Sequence, residues 1–571
     1  MKSLFHALPK TLGENFFHTV PRVSIMVSPP GTILRICAMT HGSAMSFDGR
    51  IEQQFRICLC ISEAHLSTMT WREYHESTQH SVESLRRTPH VLDWENMPDP
   101  FRHYESVPVL DLPADPPSPE TPVLDVLQGL SGATTVNDGP TFLSQVLFYS
   151  ASISASKLVP STGYRYALRV NPSSGNLHPT EFHFVTRGLK EWPDGLYHYR
   201  PSSHMAEQRA LGDLELKLAG GSAPITFVLT SIAWREAWKY GDRAYRYCLH
   251  DIGHAWQAVA LAARSIGCDA FAVGQFPDDE VALLCRLYED EWPMLIIELR
   301  GGSIPVREPD HGETVWYGGD PNQLSKETTV YRLIEEIHKA TKLRGDGSAS
   351  QRSVSEPIPI SASKTKLAQP ASSTRPFGEV VRRRRSALDF VGGAQSMSLT
   401  QFWALLAAAN RPLIADFATG RFIQLYLYVH RVSGLQPGVY RLSPEDAGLE
   451  HLKSGDQRVA AAGLSLGQDL AGNACVAFSM IGDLDRATRA HGDRGYRYVH
   501  FEAGAIGHRL YLAAEALGLG ATGIGAFYDE EVHRYLNLTA EQGRVVYHFA
   551  IGYPVPDYRL SAQSRSTKHD A

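Results

Sequence analysis

The chain has 571 residues, 43% apolar and 20% charged, the balance of a globular protein with room for two or three domains. Its 55 basic and 61 acidic side chains leave a net charge of −6, so no basic excess points to nucleic acid, and small molecules or peptides are the expected partners. Seven cysteines without metal-ligand spacing, no apolar run near the ~18 residues of a membrane span and no complete secretory signal lead us to expect a reduced, cytoplasmic protein without a membrane partner.

Residues 1–68 carry no sustained period and are expected to be poorly ordered, either as an N-terminal arm or as a stretch ahead of a natural start at Met69. Residues 69–140 are rich in aromatic residues and proline, as in Leu92-Asp93-Trp94-Glu95 and Pro98-Asp99-Pro100-Phe101. Such a segment wraps a larger body, with rings as anchors and prolines fixing its path. A first lobe, 141–310, is predicted to hold a helix at 142–152, strands at 181–186, 196–199, 225–230 and 294–299, and a long helix at 251–266. In that helix Ile252, Ala255, Trp256, Val259, Ala262, Ala263 and Ile266 recur at helical spacing, and Gly267 is the expected stop. Residues 345–376 lack large apolar side chains and read as a flexible linker. A second lobe, 379–560, repeats the order: helix 399–409, strands 422–429, 438–440 and 474–481, helix 502–517, strand 545–551.

The repeat is visible in the letters. Gly241-Asp242-Arg243-Ala244-Tyr245-Arg246-Tyr247 returns as Gly492-Asp493-Arg494-Gly495-Tyr496-Arg497-Tyr498, and the register holds without a gap from Gly241 to Leu287. Two similar halves in one chain imply an internal pseudo-dimer of α+β lobes, with mostly antiparallel central sheets flanked by helices. Where the copies agree, at Asp242, Arg243, Tyr245 and Arg246, we expect folding or interface roles. Where they differ we look for chemistry: Lys239-Tyr240 becomes Ala490-His491.

Three stretches carry chemical promise. Arg382-Arg383-Arg384-Arg385-Ser386 offers guanidinium forks that match phosphate oxygens, unless it is only a solvated basic face. Pro172-Ser173-Ser174-Gly175-Asn176-Leu177-His178-Pro179 packs small polar residues ahead of a strand, as a ligand-facing loop or as a plain turn. The second half offers only Asp416-Phe417-Ala418-Thr419 there. Gly523-Ile524-Gly525-Ala526, with its counterpart around Gly274, allows a backbone to approach a flat ligand closely. It is too short for a dinucleotide fingerprint, and a nicotinamide Rossmann domain is not expected. The histidines show no metal spacing; His250 and His254 read as core or interface residues, and His178 as one to watch.

Arg384-Arg385-Ser386 with Phe390, Pro172-Ser173-Ser174-x-Asn176-x-x-Pro179 and the Gly525 turn resemble the three flavin-contacting motifs of the nitroreductase superfamily. Within it, Leu92-Asp93-Trp94, Pro98-x-Pro100-Phe101, Lys239-Tyr240-Gly241 and Arg243-x-Tyr245-Arg246-Tyr247 are similar to the SagB-type dehydrogenases, the cyanobactin-oxidase-like azoline oxidases of thiazole- and oxazole-containing peptide pathways. The resemblance covers roughly residues 71–310 and 379–560. It implies FMN in a groove between lobes, with the Arg/Ser motif and glycine turn drawn from one half and the Ser-Ser-x-Asn loop from the other. One composite site is then complete: Arg384, Arg385 and Ser386 toward the phosphate, with Arg559 as a further basic ligand. Pro172, Ser173, Ser174 and Asn176 serve the ribityl or pyrimidine side, and Gly525 and Ala526 lie near N5. The mirror-image groove lacks both remnants, so one FMN per chain is expected.

The resemblance also implies a role for Lys239 and Tyr240 in dehydrogenation, the lysine as base and the tyrosine orienting substrate or relaying the proton. The alternative is a surface lysine beside a packing tyrosine. The expected activity is FMN-dependent dehydrogenation of an azoline or related C–N bond in a peptide or small metabolite, with a cyclodehydratase as a candidate partner. A nitro- or quinone-reducing enzyme using NAD(P)H and a non-catalytic peptide-presenting scaffold are the alternatives.

Overall fold

In the computed structural model, residues 69–87, 90–214, 223–344, 371–443 and 448–562 are described. The expectations for 1–68 and for 345–370 of the linker lie outside them. Helix α1 (Trp71–Ser77) starts at a capping box made by Thr70 and Glu73 and buries Trp71, Tyr74 and His75. Those rings lie over the repeated Gly-Asp-Arg motifs of both halves: the Tyr74 hydroxyl donates to Asp242 O at 2.6 Å, and Trp71 lies against Tyr496. The wrapping segment thus ties the halves together.

Helix α2 (Gly139–Phe148) begins earlier than its apolar period suggests, because Asp138 caps it by accepting from Thr141 N. It also ends earlier, and a hairpin follows, β1 (Ile153–Leu158) and β2 (Arg165–Arg169). The polar Ser-Ala-Ser-Lys of β1 gave no strand signal. Next come β3 (Thr180–Thr186), β4 (Gly195–Arg200), β5 (Met205–Leu211) and β6 (Ile225–Ser231). Helices α3 (Ala233–Tyr240) and α4 (Ala244–Ser265), strand β7 (Asp269–Val273), helix α5 (Asp278–Leu284) and strand β8 (Trp292–Arg300) complete the first lobe. The central helix is almost two turns longer at its start than expected. Tyr245, Arg246, Tyr247 and His250 there are buried against the other lobe, so no apolar stripe marks them.

The second lobe follows the same plan. It runs through α6 (Phe377–Arg383), α7 (Leu399–Ala409), β9 (Ile423–Val429), β10 (Gly438–Leu442), β11 (Leu449–Ser454) and β12 (Val476–Gly482). Then come α8 (Leu484–His491), α9 (Gly495–Ala516), β13 (Gly520–Ile524), α10 (Asp529–Leu536), β14 (Arg544–Gly552) and β15 (Leu560–Ala562). Strands run in the order β5-β4-β3-β6-β8-β7 in one sheet and β11-β10-β9-β12-β14-β13 in the other, every pairing antiparallel. Even the register repeats, with Thr180 opposite Ser231 and Ile423 opposite Gly482. The fold is α+β, two copies of one unit.

The lobes meet along α4 and α9, which cross at Gly253 and Gly504. A Cβ on Gly253 would fall 2.2 Å from Phe501 O, and one on Gly504 2.2 Å from His250 O, so only glycine permits this approach. Reciprocal buried ion pairs flank the crossing. Arg243 and Arg246 reach Asp529 at 3.0 and 2.9 Å, and Arg494 and Arg497 reach Asp278 at 2.5 and 2.7 Å. Tyr245 accepts from Arg497 Nε at 3.1 Å, and His254 meets the Tyr547 hydroxyl at 3.1 Å, so the repeated motif and these residues serve the interface as expected. Finally β15 leaves the second lobe to pair with β1 of the first, Leu560 opposite Lys157. Among the described residues no helix is long and apolar enough to cross a membrane.

Candidate active site

The Ser173–Asn176 loop enters β3 and is shaped by a residue that sequence reasoning passed over. Asp251, buried on α4, accepts from Ser173 Oγ at 2.5 Å, Ser174 N at 3.1 Å and Ser174 Oγ at 3.0 Å. Burial pushes its carboxyl up to about 7 against the pull of these three donors. Asn176 is likewise engaged, donating to Ala167 O at 2.9 Å and meeting His178 Nε2 at 3.1 Å. The side chains therefore brace the loop, and Pro172 is buried at its base.

The arginine run of the second lobe arrives beside this loop. Arg384 donates through Nε to Val170 O at 3.2 Å and through Nη2 to Arg169 O at 3.3 Å, just ahead of Pro172. Its Nη1 is buried and finds no acceptor among the described residues. Arg385 donates to Ser154 O at 3.0 Å. Burial, with repulsion from Arg384 and Arg382, pulls its guanidinium down to about 9, while Glu515 works the other way. Ser386 is bonded to the Tyr511 hydroxyl at 2.8 Å, and the same hydroxyl accepts from Gly523 N at 2.8 Å. Tyr511 thus joins the run to the glycine turn.

At that turn the N–H groups of Gly525 and Ala526 meet no acceptor among the described residues. Tyr247 of the first lobe packs so closely that a Cβ on Gly525 would fall 1.9 Å from its Cε1. The Tyr240 ring lies 4.4 Å from the Tyr247 ring. On its other side a Cβ at Gly175 would fall 2.7 Å from the Tyr240 hydroxyl and 3.0 Å from Lys239 Nζ. Burial holds the Tyr240 phenol well above its ordinary range, so it is a donor. Loop, lysine-tyrosine pair, arginine run and glycine turn form one connected constellation. Arg559 does not join it: Asp557 takes both arms of its fork, at 2.7 and 2.8 Å.

The mirror groove is filled by the chain itself. Asp416 accepts from Gly274 N at 2.7 Å and from Gln275 N at 3.1 Å, the counterparts of the Gly525 and Ala526 N–H groups. Phe417 stacks on Tyr498 at 4.2 Å and presses on Gly274. The segment that lost the Ser-Ser-x-Asn pattern has become a plug. Replacing Asp416 by Ala strands two amides and is expected to cost about 1–3 kcal/mol of unfolding free energy. A denaturant titration showing no loss would mean the carboxylate braces nothing.

The members of this constellation that sequence reasoning missed are Asp251 and Tyr511; Tyr247 it read only as part of the repeated motif. Asp251 carried a faint signal, because an acid, Glu502, holds the same place in the second copy, where it accepts from Phe422 N at 2.9 Å and Ile423 N at 3.1 Å.

Comparison with known proteins agrees with this architecture. The sequence profile of the nitroreductase family matches residues 163–301 and 381–553. A protein of Methanocaldococcus jannaschii, provisionally named a nitroreductase, is 34% identical over 116 residues. The match spans 20% of this chain and 59% of that relative. A crystal structure from Anabaena variabilis, also provisionally named a nitroreductase, is 25% identical with a TM-score of 0.67; the superposition covers 85% of this chain and 99% of that one.

Proposed function

The chain belongs to the nitroreductase family, and from that premise we propose that it is an FMN-dependent oxidoreductase that dehydrogenates an azoline or a related C–N bond in a peptide or small metabolite. The observation that carries this reading is the place of Lys239 and Tyr240 against the Ser173–Asn176 loop, with the Tyr240 ring packed on Tyr247, the residue that covers Gly525.

The residues present fit an FMN. The orphaned Nη1 of buried Arg384 and the crowded charge of Arg385 suit a phosphate, with Ser386 beside them. The N–H groups of Gly525 and Ala526, which meet no acceptor among the described residues, suit the polar edge of a flat ring, which the loop at Pro172, Ser173, Ser174 and Asn176 would border from the other lobe. Arg559 would contribute only by giving up Asp557. When bound, FMN supplies the two-electron chemistry; this chain supplies position and proton handling. Lys239 would accept the proton from the atom next to the C–H bond that is broken. Tyr240, held protonated, would donate a hydrogen bond that orients the substrate. An azoline arises by cyclodehydration of a Cys, Ser or Thr side chain onto the backbone, so a cyclodehydratase is the natural supplier and candidate partner.

Purified protein should carry a flavin chromophore and convert azoline peptides to azoles with oxygen as acceptor. Rapid bleaching by NADPH with turnover of nitro compounds, and none of azolines, would replace this reading with a general reductase. A protein that takes up no flavin would be left as a peptide-presenting scaffold.

A further inference from the structure

Residues 90–101, within the stretch expected to wrap the first lobe, cross the end of α3, and the function proposed above makes no use of them. His90 Nε2 donates to Trp238 O at 2.7 Å. The Trp238 indole donates back to Asp93 O at 2.6 Å, and the Trp94 ring meets its ring edge-on with centroids 5.3 Å apart. One turn earlier on α3, buried Arg235 donates through Nε to Asp99 O at 2.9 Å and through Nη1 to His178 O at 2.8 Å, just past the Ser173–Asn176 loop. Arg235 therefore joins this segment, the helix and the loop.

The segment is itself pinned. Asp93 caps a single 3₁₀ turn, Trp94–Asn96, accepting from Glu95 N at 3.2 Å and from Asn96 Nδ2 at 2.7 Å. Asn96 Oδ1 accepts from Glu327 N at 3.1 Å, Asp99 N donates to Leu324 O at 2.8 Å, and Arg169 Nη2 donates to Pro100 O at 2.5 Å. What it holds is the turn that carries the candidate base. Helix α3 has eight residues, stops at Gly241 with φ 56°, and presents Lys239 and Tyr240 as its last two. So short a helix has little stability of its own and its end frays first, so contacts from outside must fix where these side chains point. In the second lobe Trp238 becomes the exposed Arg489, and Arg486, the counterpart of Arg235, bonds to Asp483 of its own lobe at 3.2 Å. The indole is lost together with the lysine and the tyrosine, in the half whose groove is plugged.

We propose that residues 90–99 form a positioning strap: through Trp238 and Arg235 they fix the last turn of α3, so that the Lys239 amine and the Tyr240 hydroxyl stay against the Gly175 turn. His90 and Trp238 are then positioning residues that act on substrate only through Lys239 and Tyr240. The strap rests on the function proposed above, where Lys239 is the base. It makes and breaks no covalent bond; its worth is that a reacting group displaced by about 1 Å loses up to about a hundredfold in rate.

The test starts from His90, which is exposed and can be changed without touching the core. In His90→Ala, hydrogen–deuterium exchange read by mass spectrometry should speed up about two- to tenfold at residues 238–241, the weight of one lost hydrogen bond, and stay unchanged in β3 and in the second lobe. Turnover of an azoline peptide should fall about tenfold or more in kcat, with KM and bound flavin unchanged. His90→Gln, whose side-chain amide reaches as far as the imidazole Nε2, should restore both. Trp238→Phe, which keeps a ring and deletes the indole N–H, should repeat the loss. Exchange that stays put in His90→Ala and Trp238→Phe overturns the proposal, and so does faster exchange with kcat intact. The two readings fail separately. A parent chain that oxidises azolines, with variants just as fast, keeps the function and sinks the strap. A parent that oxidises none sinks the function and the strap's part in it, while faster exchange in the variants would still show the hold on α3.

Discussion

Lys239→Ala should lower the rate of azoline dehydrogenation by a factor of about 10²–10⁴, the usual worth of a positioned general base, with flavin absorbance unchanged. The variant removes the amine that approaches the Gly175 turn and leaves the proposed FMN ligands, Arg384, Arg385, Ser386 and the Gly525 turn, in place. Loss should appear in kcat more than in KM, since the proton is transferred only as the C–H bond breaks. Tyr240→Phe should be milder, because the phenol is held protonated and contributes a hydrogen bond. A Lys239→Ala enzyme with full activity would return this lysine to the surface and leave its loss from the second copy without meaning.

Asp278→Ala is expected to destabilise the chain by about 3–5 kcal/mol, because it leaves the buried guanidiniums of Arg494 and Arg497 without their carboxylate. Asp529→Ala should do the same through Arg243 and Arg246. Each carboxylate belongs to one lobe and each arginine pair to the other, so the loss is one of lobe association, read in a denaturant titration. The same pairs predict the acid limb of stability. Burial alone would raise both carboxyls, but the arginines outweigh it, and both folded pKa values lie below the unfolded one. Their stabilisation is therefore complete at neutral pH, present above the unfolded value of about 4, and lost as pH falls through the lower folded values. A chain whose stability stayed level below pH 4 would contradict this.

Much of the architecture was legible in the letters because the repeat is. The Gly-Asp-Arg motif marked the interface, and apolar strands such as Ile225–Ser231 and Val476–Gly482 declared themselves by composition. The strands that stayed hidden had no period to show. β11 exposes nearly every residue, and β7 and β13 are short strands rich in small residues, two of them glycines in β13, that read as turns. The start of α4 stayed hidden for another reason, since its buried Arg246 and Tyr245 find Asp529 and Arg497 of the other lobe as partners. At the site, the differences between the copies singled out Lys239, Tyr240 and the Ser-Ser-x-Asn loop. They could not show Asp251 as the loop's anchor, which needs the fold to bring residue 251 under residues 173 and 174. Nor could they show that Asp416 and Phe417, apparently only a lost motif, fill the groove they no longer serve.

Flavin stoichiometry bears most directly on the whole account. The chain is denatured after saturation with FMN and the released flavin is counted against protein by amino-acid analysis. One FMN per chain, falling toward none when Arg384 and Arg385 are both replaced by Ala and unaffected by changes at Gly274, is the result expected from one live groove and one plugged by Asp416 and Phe417. Two FMN per chain, or a single FMN indifferent to the arginines, would contradict it.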